Sequence, residues 1–362
     1  MERFVTDAFE SAVRENVPLA PLTTLQIGGP ARFFAELQSS EQIIAGFRWS
    51  AERRIPVFVL GGGSNIVVSD RGFPGLVIRN AIKGIQIQDE SVESRLLTAG
   101  AGEKWDDIVK LAVANNLAGI ECLSGIPGSV GATPIQNVGA YGQEVSETIV
   151  HLTAVDLLTG TPLVIDSKEC RFGYRTSRFK TTDSGRFVIT SVTYRLHPSG
   201  RPSVRYAELT RLLDERGDKA TLSDVRHAVL SIRSRKGMVI DPADPDSISV
   251  GSFFVNPVVD LDTLREIEHR LKMDPGDTTI PSFAATGGRV KLSAAWLIER
   301  AGFVKGYRSG RVGLSSKHSL AIVARQGSTA REIMELAARI QDKVWSDFGV
   351  RLVPEPTFVG PK

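Results

Sequence analysis

Cysteine, histidine, net charge and long apolar runs are all scarce in this chain, and each shortage narrows what it can do. Two cysteines, Cys122 and Cys170, occur among 362 residues, and they form no C-x-x-C pair. Free, buried thiols in a reducing compartment are the plain reading. The histidines, at 151, 197, 227, 269 and 318, are dispersed, so they read as structural or surface residues and no metal is expected. The H-E-x-x-H, G-x-x-x-x-G-K-[ST] and G-x-S-x-G patterns are missing, which leaves zincin, P-loop and elbow-hydrolase chemistry without a foothold. A net charge of +3 argues against a general nucleic-acid surface. It still allows a few local Lys and Arg side chains to meet an anionic substrate. No segment approaches the ~18 apolar residues of a membrane span. The start, Met1 to Arg14, carries Glu2, Asp7 and Glu10 without an apolar run, so neither a signal peptide nor a membrane partner is expected. The expected compartment is the cytoplasm.

What is present is a well-packed globular composition, 42% hydrophobic and 23% charged, over a length that predicts two or three domains. Ser39 and Gln42 form a candidate capping box ahead of a helix with apolar positions Ile43, Ile44, Phe47 and Ala51. Pro56 opens a strand, Val57 to Leu60, which runs into Gly61-Gly62-Gly63-Ser64-Asn65; a second strand, Ile66 to Val68, follows. Trp105, Ile108, Val109 and Ala112 mark another helix, ending near Asn116. From Leu117 to Tyr141 the chain is glycine-rich with no helical period, as an ordered loop would be. Strands are predicted at Ile149 to Val155 and Phe187 to Tyr194. His197 to Pro202 reads as a linker or mobile loop. A helix over 222–234 leads to Asp241-Pro-Ala-Asp-Pro-Asp246, whose prolines and charges mark a domain boundary. Further helices are predicted at 261–272, 291–301 and 329–346. The last has Thr329 and Glu332 as capping box, Ile333, Leu336, Ala337, Ile340 and Val344 as apolar face, and Gly349 as its stop. Val350 to Val359 reads as one more strand that must pair with an earlier segment.

Gly61-x-Gly63-x-x-Ile66 imitates a dinucleotide fingerprint, but its sixth position is Ile and a strand follows. Two glycine-rich loops, 61–65 and 125–142, are the more telling feature. Glycine lets backbone N–H groups approach an anion closely, and consecutive N–H groups make a concave anion site without a helix. Two such loops can grip the two phosphates of one dinucleotide, with Asn65, Gln136 and Asn137 supplying amides. A pair of tight turns is the alternative.

Eight segments then fall in one order: Thr24-Leu-Gln-Ile-Gly-Gly-Pro-Ala31; Leu60-Gly-Gly-Gly-Ser-Asn65 with Ser69-Asp-Arg-Gly-Phe73; Gly125-Ile-Pro-Gly-Ser-Val-Gly-Ala132; Gln136-Asn-Val-Gly-Ala-Tyr-Gly142; Phe172-Gly-Tyr-Arg175; Gly251-Ser-Phe-Phe-Val-Asn-Pro257; Lys291-Leu-Ser-Ala-Ala-Trp-Leu297; and Pro354-Glu355. Together, from about residue 21 to the C-terminus, they resemble the UDP-N-acetylenolpyruvoylglucosamine reductase (UDP-N-acetylmuramate dehydrogenase) family, in its flap-tyrosine subclass.

The resemblance implies a mixed α+β / α/β fold of three domains. Residues 1–70 with 350–362, and 71–236, would form the two lobes of an FAD-binding PCMH-type unit, like that of vanillyl-alcohol oxidases. Residues 237–349 would form an α/β substrate-binding domain. It also implies an enzyme of peptidoglycan precursor synthesis, in which NADPH reduces noncovalent FAD and the enolpyruvyl UDP-sugar is then reduced to a lactyl ether. The protein is expected to be a monomer.

By the same resemblance Arg175, Ser252 and Glu355 are the catalytic residues. Guanidinium suits a carboxylate on which charge develops, a positioned hydroxyl can deliver a proton to a strongly basic carbon, and Glu355 assists the same carboxylate. Pro356 follows Glu355 where many members carry Val or another residue. The cofactor-binding residues are Gly61, Gly62, Gly63, Ser64, Asn65, Gly125, Ile126, Pro127, Gly128, Ser129, Gly131 and Ala132. Tyr206 matches the flap tyrosine. Lys236, Asn256, Lys305 and His318 match substrate contacts, and Arg233 or Arg235 can stand in for Lys236. On the residues alone, a surface role for Arg175, a strand-start role for Ser252 and an exposed chain-end role for Glu355 stay open. An FAD oxidase of the same fold and a non-catalytic nucleotide-sugar binder are the competing readings.

Overall fold

The structure of the chain, a computed structural model, describes residues 9–213, 219–271 and 280–361. The helices are α1 Ser40–Glu52, α2 Trp105–Ala114, α3 Ala207–Leu213, α4 Leu222–Arg235, α5 Leu261–Arg270, α6 Ala294–Arg300 and α7 Ala330–Phe348, and α1, α4, α5, α6 and α7 each open on a side-chain cap. The described residues fall into two compact units. One holds the chain up to Pro18, Pro30–Gly63 and Gly72–Val239; the other holds Leu19–Gly29, Ser64–Arg71 and the chain from Ile240 onward.

The first unit contains two sheets. In one, Pro30–Leu37, Phe73–Asn80 and Val57–Leu60 run parallel in that order, and Arg14–Pro18 adds antiparallel to the edge. Phe73–Asn80 sits mid-sheet, and Leu76 to Ile78 are fully buried, the continuous apolar run a strand covered on both faces requires. α1 begins at Ser39, whose hydroxyl accepts the Gln42 N–H; Gln42 Oε1 reaches back to the Gln38 N–H, one residue before the expected partner. Its buried face is also rotated from the expected one. Ile43, Ala45, Gly46, Trp49 and Ser50 are covered, and Ala51 is exposed. Trp49 decides this, because its ring packs edge-on against Phe9 and Phe33 at centroid distances of 5.8 and 5.1 Å.

The second sheet is antiparallel, in the order Thr161–Asp166, Ile149–Asp156, Phe187–Pro198, Arg95–Gly100, Ile85–Asp89. The segment expected to be a linker from His197 is strand for its first two residues: His197 and Pro198 pair with Ala118 and Leu117. A proline at a strand end removes no interior ladder bond, so the sheet tolerates it. α2 packs under this sheet through Trp105, Ile108, Val109 and Ala112, all buried as predicted.

In the second unit the core is built around α7. Its capping box closes as predicted, with Thr329 and Glu332 exchanging bonds, and Gly349 ends it in the left-handed region at φ 69°. Asp70 adds a second cap: its carboxylate accepts the Ala330 and Arg331 N–H groups at 2.7 and 3.1 Å. The C-terminal strand, Thr357–Val359, pairs parallel with Ile66–Val68, which answers where the closing segment goes. Asp241 to Asp246 is ordered chain. Asp246 is buried and its carboxylate takes the Arg325 guanidinium at 2.8 Å and the Ser316 N–H and hydroxyl at 2.9 and 2.6 Å. No helix among the described residues is long and apolar enough to cross a membrane.

Candidate functional site

The two glycine loops meet in the first unit. A Cβ added to Gly61 would lie 2.6 Å from Ser129 Oγ, and one added to Gly62 would lie 2.6 Å from Gly128 Cα. Main chain therefore packs on main chain here, a spacing glycine alone permits. Part of the second loop is already committed within the fold. The N–H groups of Val130 and Gly131 donate to Glu103 O and Ala101 O, and that of Ala132 to Ser129 O. Gly125 donates its N–H to Asp106 Oδ1 at 2.6 Å. The N–H groups of Gly125, Gly131 and Ala132, three of the residues expected to hold the cofactor, are thus already used within the fold. Asn65 belongs to the second unit, where its side-chain amide donates to Glu355 O at 3.3 Å and its own carbonyl accepts the Thr357 N–H at 3.0 Å.

Asp106, in the first turn of α2, also forms a two-pronged pair with Arg226 of α4, at 2.7 and 2.8 Å. Burial opposes ionisation of this carboxyl most strongly, but Arg226 and the Gly125 N–H outweigh it and hold it below the usual carboxylate range. About two turns further along α4, Arg233 is buried; its Nη2 donates to Met238 O at 2.8 Å. Its Nε, close to Gly125, is buried without a partner. Burial lowers the Arg233 pKa and raises the neighbouring Tyr141 phenol to about 12. A buried cation with a spare N–H against a glycine turn is chemistry suited to an anion. The sequence offered Arg233 only as a substitute for Lys236, and nothing local marks an arginine in a last helical turn as buried.

Arg175 occupies the second corner of a four-residue turn, in which Gly173 and Thr176 exchange both backbone bonds. Its φ is +58°, a left-handed conformation usually filled by Gly or Asn. Its guanidinium donates to Asn137 O and, in a short bond, to Gly139 O. The alternative of an exposed strand-end arginine is thereby corrected: Arg175 is half-buried in a turn, with Arg178 paired separately to Asp183 at 2.7 Å.

Ser252 and Glu355 come together in the second unit. The Phe253 N–H donates to Leu320 O and its carbonyl accepts the Glu355 N–H at 2.9 Å, while Phe254 bridges Pro354. Ser252 is not the start of a strand. It follows Gly251, at φ 75°, in irregular chain held by isolated bridges and single backbone bonds, and Phe253 and Phe254 behind it are fully buried.

The expected substrate residues are placed as follows. Tyr206, partly exposed, stands before α3 with its ring edge-on to Tyr141 at 5.3 Å. Lys236 caps the end of α4 and its ammonium pairs with Glu208 of α3 at 2.7 Å. Asn256 Oδ1 accepts the Ala294 N–H at the start of α6, so its carbonyl oxygen is structural. Lys305 is exposed, and the His318 N–H donates to Ser315 Oγ at 3.3 Å. No cluster of His, Cys, Asp and Glu among the described residues could hold a metal ion.

Residues 31–166 match the family model described as "FAD binding domain", and residues 243–359 match "UDP-N-acetylenolpyruvoylglucosamine reductase, C-terminal domain". The UDP-N-acetylenolpyruvoylglucosamine reductase of Thermobifida fusca is 47% identical over 352 residues, covering 95% of this chain and 97% of the relative. That of Salinispora arenicola is 46% identical, covering 94% of each. The crystal structure of UDP-N-acetylenolpyruvylglucosamine reductase from Thermus caldophilus superposes with a TM-score of 0.63 at 25% identity, covering 96% of this chain and 99% of that one.

Proposed function

The chain belongs to the UDP-N-acetylenolpyruvoylglucosamine reductase family, and from that premise we propose that it uses NADPH and FAD to reduce the enolpyruvyl ether of its UDP-sugar to UDP-N-acetylmuramate, for peptidoglycan synthesis. It works in the cytoplasm as a monomer. The backbone of Gly61–Gly63 against Gly128 fits a dinucleotide, because a phosphate needs N–H groups that no Cβ screens. The spare Nε of Arg233 beside Gly125 fits the same anionic ligand. FAD, when bound, supplies the hydride drawn from NADPH.

The chain's own residues do the rest. Arg175 holds the substrate carboxylate by two parallel N–H bonds and stabilises the charge that grows on it. Ser252 holds a proton at Oγ for the carbon next to that carboxylate, and Glu355 supports the same end of the substrate. Tyr206 covers the nucleotide, while Lys236, Asn256, Lys305 and His318 grip diphosphate and sugar. The observation that carries the assignment of Ser252 and Glu355 is their adjacency: far apart in sequence, they flank one bond from Glu355 N–H to Phe253 O, against a dry wall of Phe253 and Phe254. Stopped-flow absorbance of the purified protein tests the reading. NADPH should bleach the flavin without the sugar, and the enolpyruvyl UDP-sugar should restore the colour without oxygen. A colourless protein, or a bleached one that the sugar leaves unchanged, refutes it.

A further inference from the structure

Arg175 sits where backbone geometry opposes it, so something must hold its turn. A non-glycine residue at φ +58° costs ~1–3 kcal/mol and persists only where the surroundings impose it. The imposing group is Asn137. Its side chain is buried, and its own backbone is left-handed at φ +48°. Nδ2 donates to Glu144 Oε2 at 2.7 Å and to Gly173 O at 3.0 Å, and Oδ1 accepts the Ser146 N–H at 3.1 Å. Only one orientation of the amide satisfies all three, because a carboxylate and a carbonyl must accept and an N–H must donate. Asn137 therefore ties Gly173, the first residue of the arginine turn, to the loop whose carbonyls, Asn137 O and Gly139 O, receive the guanidinium. Gly139 completes the seat: a Cβ there would lie 2.8 Å from Arg175 Nη1.

We infer that Asn137 is a positioning residue for the reduction step, acting through Arg175 by fixing both the turn that carries it and the carbonyls that orient its guanidinium. The inference rests on the catalytic assignment of Arg175 made above.

The test is a double-mutant cycle read in two half-reactions. Asn137→Asp keeps the shape, the tolerance of left-handed backbone and the acceptor for Ser146 N–H. It removes both donated bonds and sets a carboxylate against Glu144. Reoxidation of reduced flavin by the enolpyruvyl UDP-sugar should slow ~10–100-fold, since misplacing a catalytic group by about 1 Å costs that much. Bound FAD and its bleaching by NADPH should change less than about threefold, because the Asn137 amide, expected from the sequence to reach a cofactor phosphate, is engaged instead by Glu144, Gly173 and Ser146. In an Arg175→Ala background the same substitution should cost less than about threefold in reoxidation, because residues acting through one another are not additive. Gly139→Ala, which displaces the guanidinium from the other side, should reproduce the pattern if Asn137→Asp does not fold. Equal losses with and without Arg175, or a parallel fall in FAD content, would make Asn137 a general structural residue and overturn the inference. If Arg175→Ala itself leaves reoxidation intact, the catalytic assignment fails first, and the two failures are thereby told apart.

Discussion

Alanine at Gly62 probes the glycine cradle at its tightest point. The new Cβ would lie 2.6 Å from Gly128 Cα, 2.8 Å from Gly128 C and 3.1 Å from Ser129 N. Comfortable carbon contacts begin at ~3.5 Å, so the loops must part by about 1 Å. Both walls are main chain, and no rotamer change relieves the clash. Gly62 is outside the left-handed region, so alanine adds no strain of its own there and separation of the loops is the whole effect. Hydrogen bonds from N–H to a charged phosphate contribute ~1.5–3 kcal/mol each. Loosening two of them by half removes about 1.5–3 kcal/mol, or ~10–150-fold in the FAD dissociation constant. Overpacking alone costs ~1–3 kcal/mol of stability, so the melting temperature of the apoprotein must be measured beside the affinity. Gly160→Ala is the control, since it meets φ +67° with nothing within 4 Å. It should lower stability a little and leave FAD affinity unchanged. Titration of each apoprotein with FAD, followed by flavin fluorescence, gives the answer. A Gly62→Ala protein that binds FAD as tightly as the parent would show that the loops do not hold the cofactor.

Ser252→Ala should leave flavin bleaching by NADPH nearly intact and slow reoxidation by the enolpyruvyl sugar ~10²–10⁴-fold; a matching fall in both half-reactions would make Ser252 a binding or structural residue. Acid precipitation should release the flavin into solution, because residues 61–65 and 125–142 contain neither His nor Cys to attach it; colour staying in the pellet would favour covalent flavin and the oxidase reading. Asp106 has a folded pKa below its unfolded value of ~3.9, so its contribution is complete above that value and is lost as pH falls through the folded one. Asp106→Asn should therefore be less stable at neutral pH, with the gap narrowing below pH ~4 in acid unfolding; a gap constant across that window contradicts the assignment. Asp70→Ala removes two bonds to the start of α7 and should cost ~0.5–2 kcal/mol in denaturant unfolding without changing FAD affinity; an unchanged midpoint would show that Thr329 and Glu332 cap the helix alone.

The elements legible in the sequence are those whose cause is local. Thr329, Glu332 and Gly349 act on residues within a turn of themselves, so the ends of α7 could be read directly. So could the helix of Trp105 and the strand running into Gly61, because periodicity and turn chemistry need only near neighbours. The family motifs likewise carried Arg175, Ser252 and Glu355 as a set of residue types in order. What local pattern could not show is partnership across long separations. The buried face of α1 turned on Trp49 meeting Phe9 and Phe33. Asn256 proved to be tied to α6, and Lys236 to Glu208.

The sequence by itself determined the helix ends, the glycine turns and the chemical repertoire, since each follows from the propensities and hydrogen-bonding capacity of adjacent residues. The tertiary structure alone decided which N–H groups are already committed, that Arg175 stands in a left-handed corner secured by Asn137, and that Glu355 is bonded through its backbone to Phe253, the neighbour of Ser252. Those facts depend on long-range loop closure, which leaves no periodic trace along the chain.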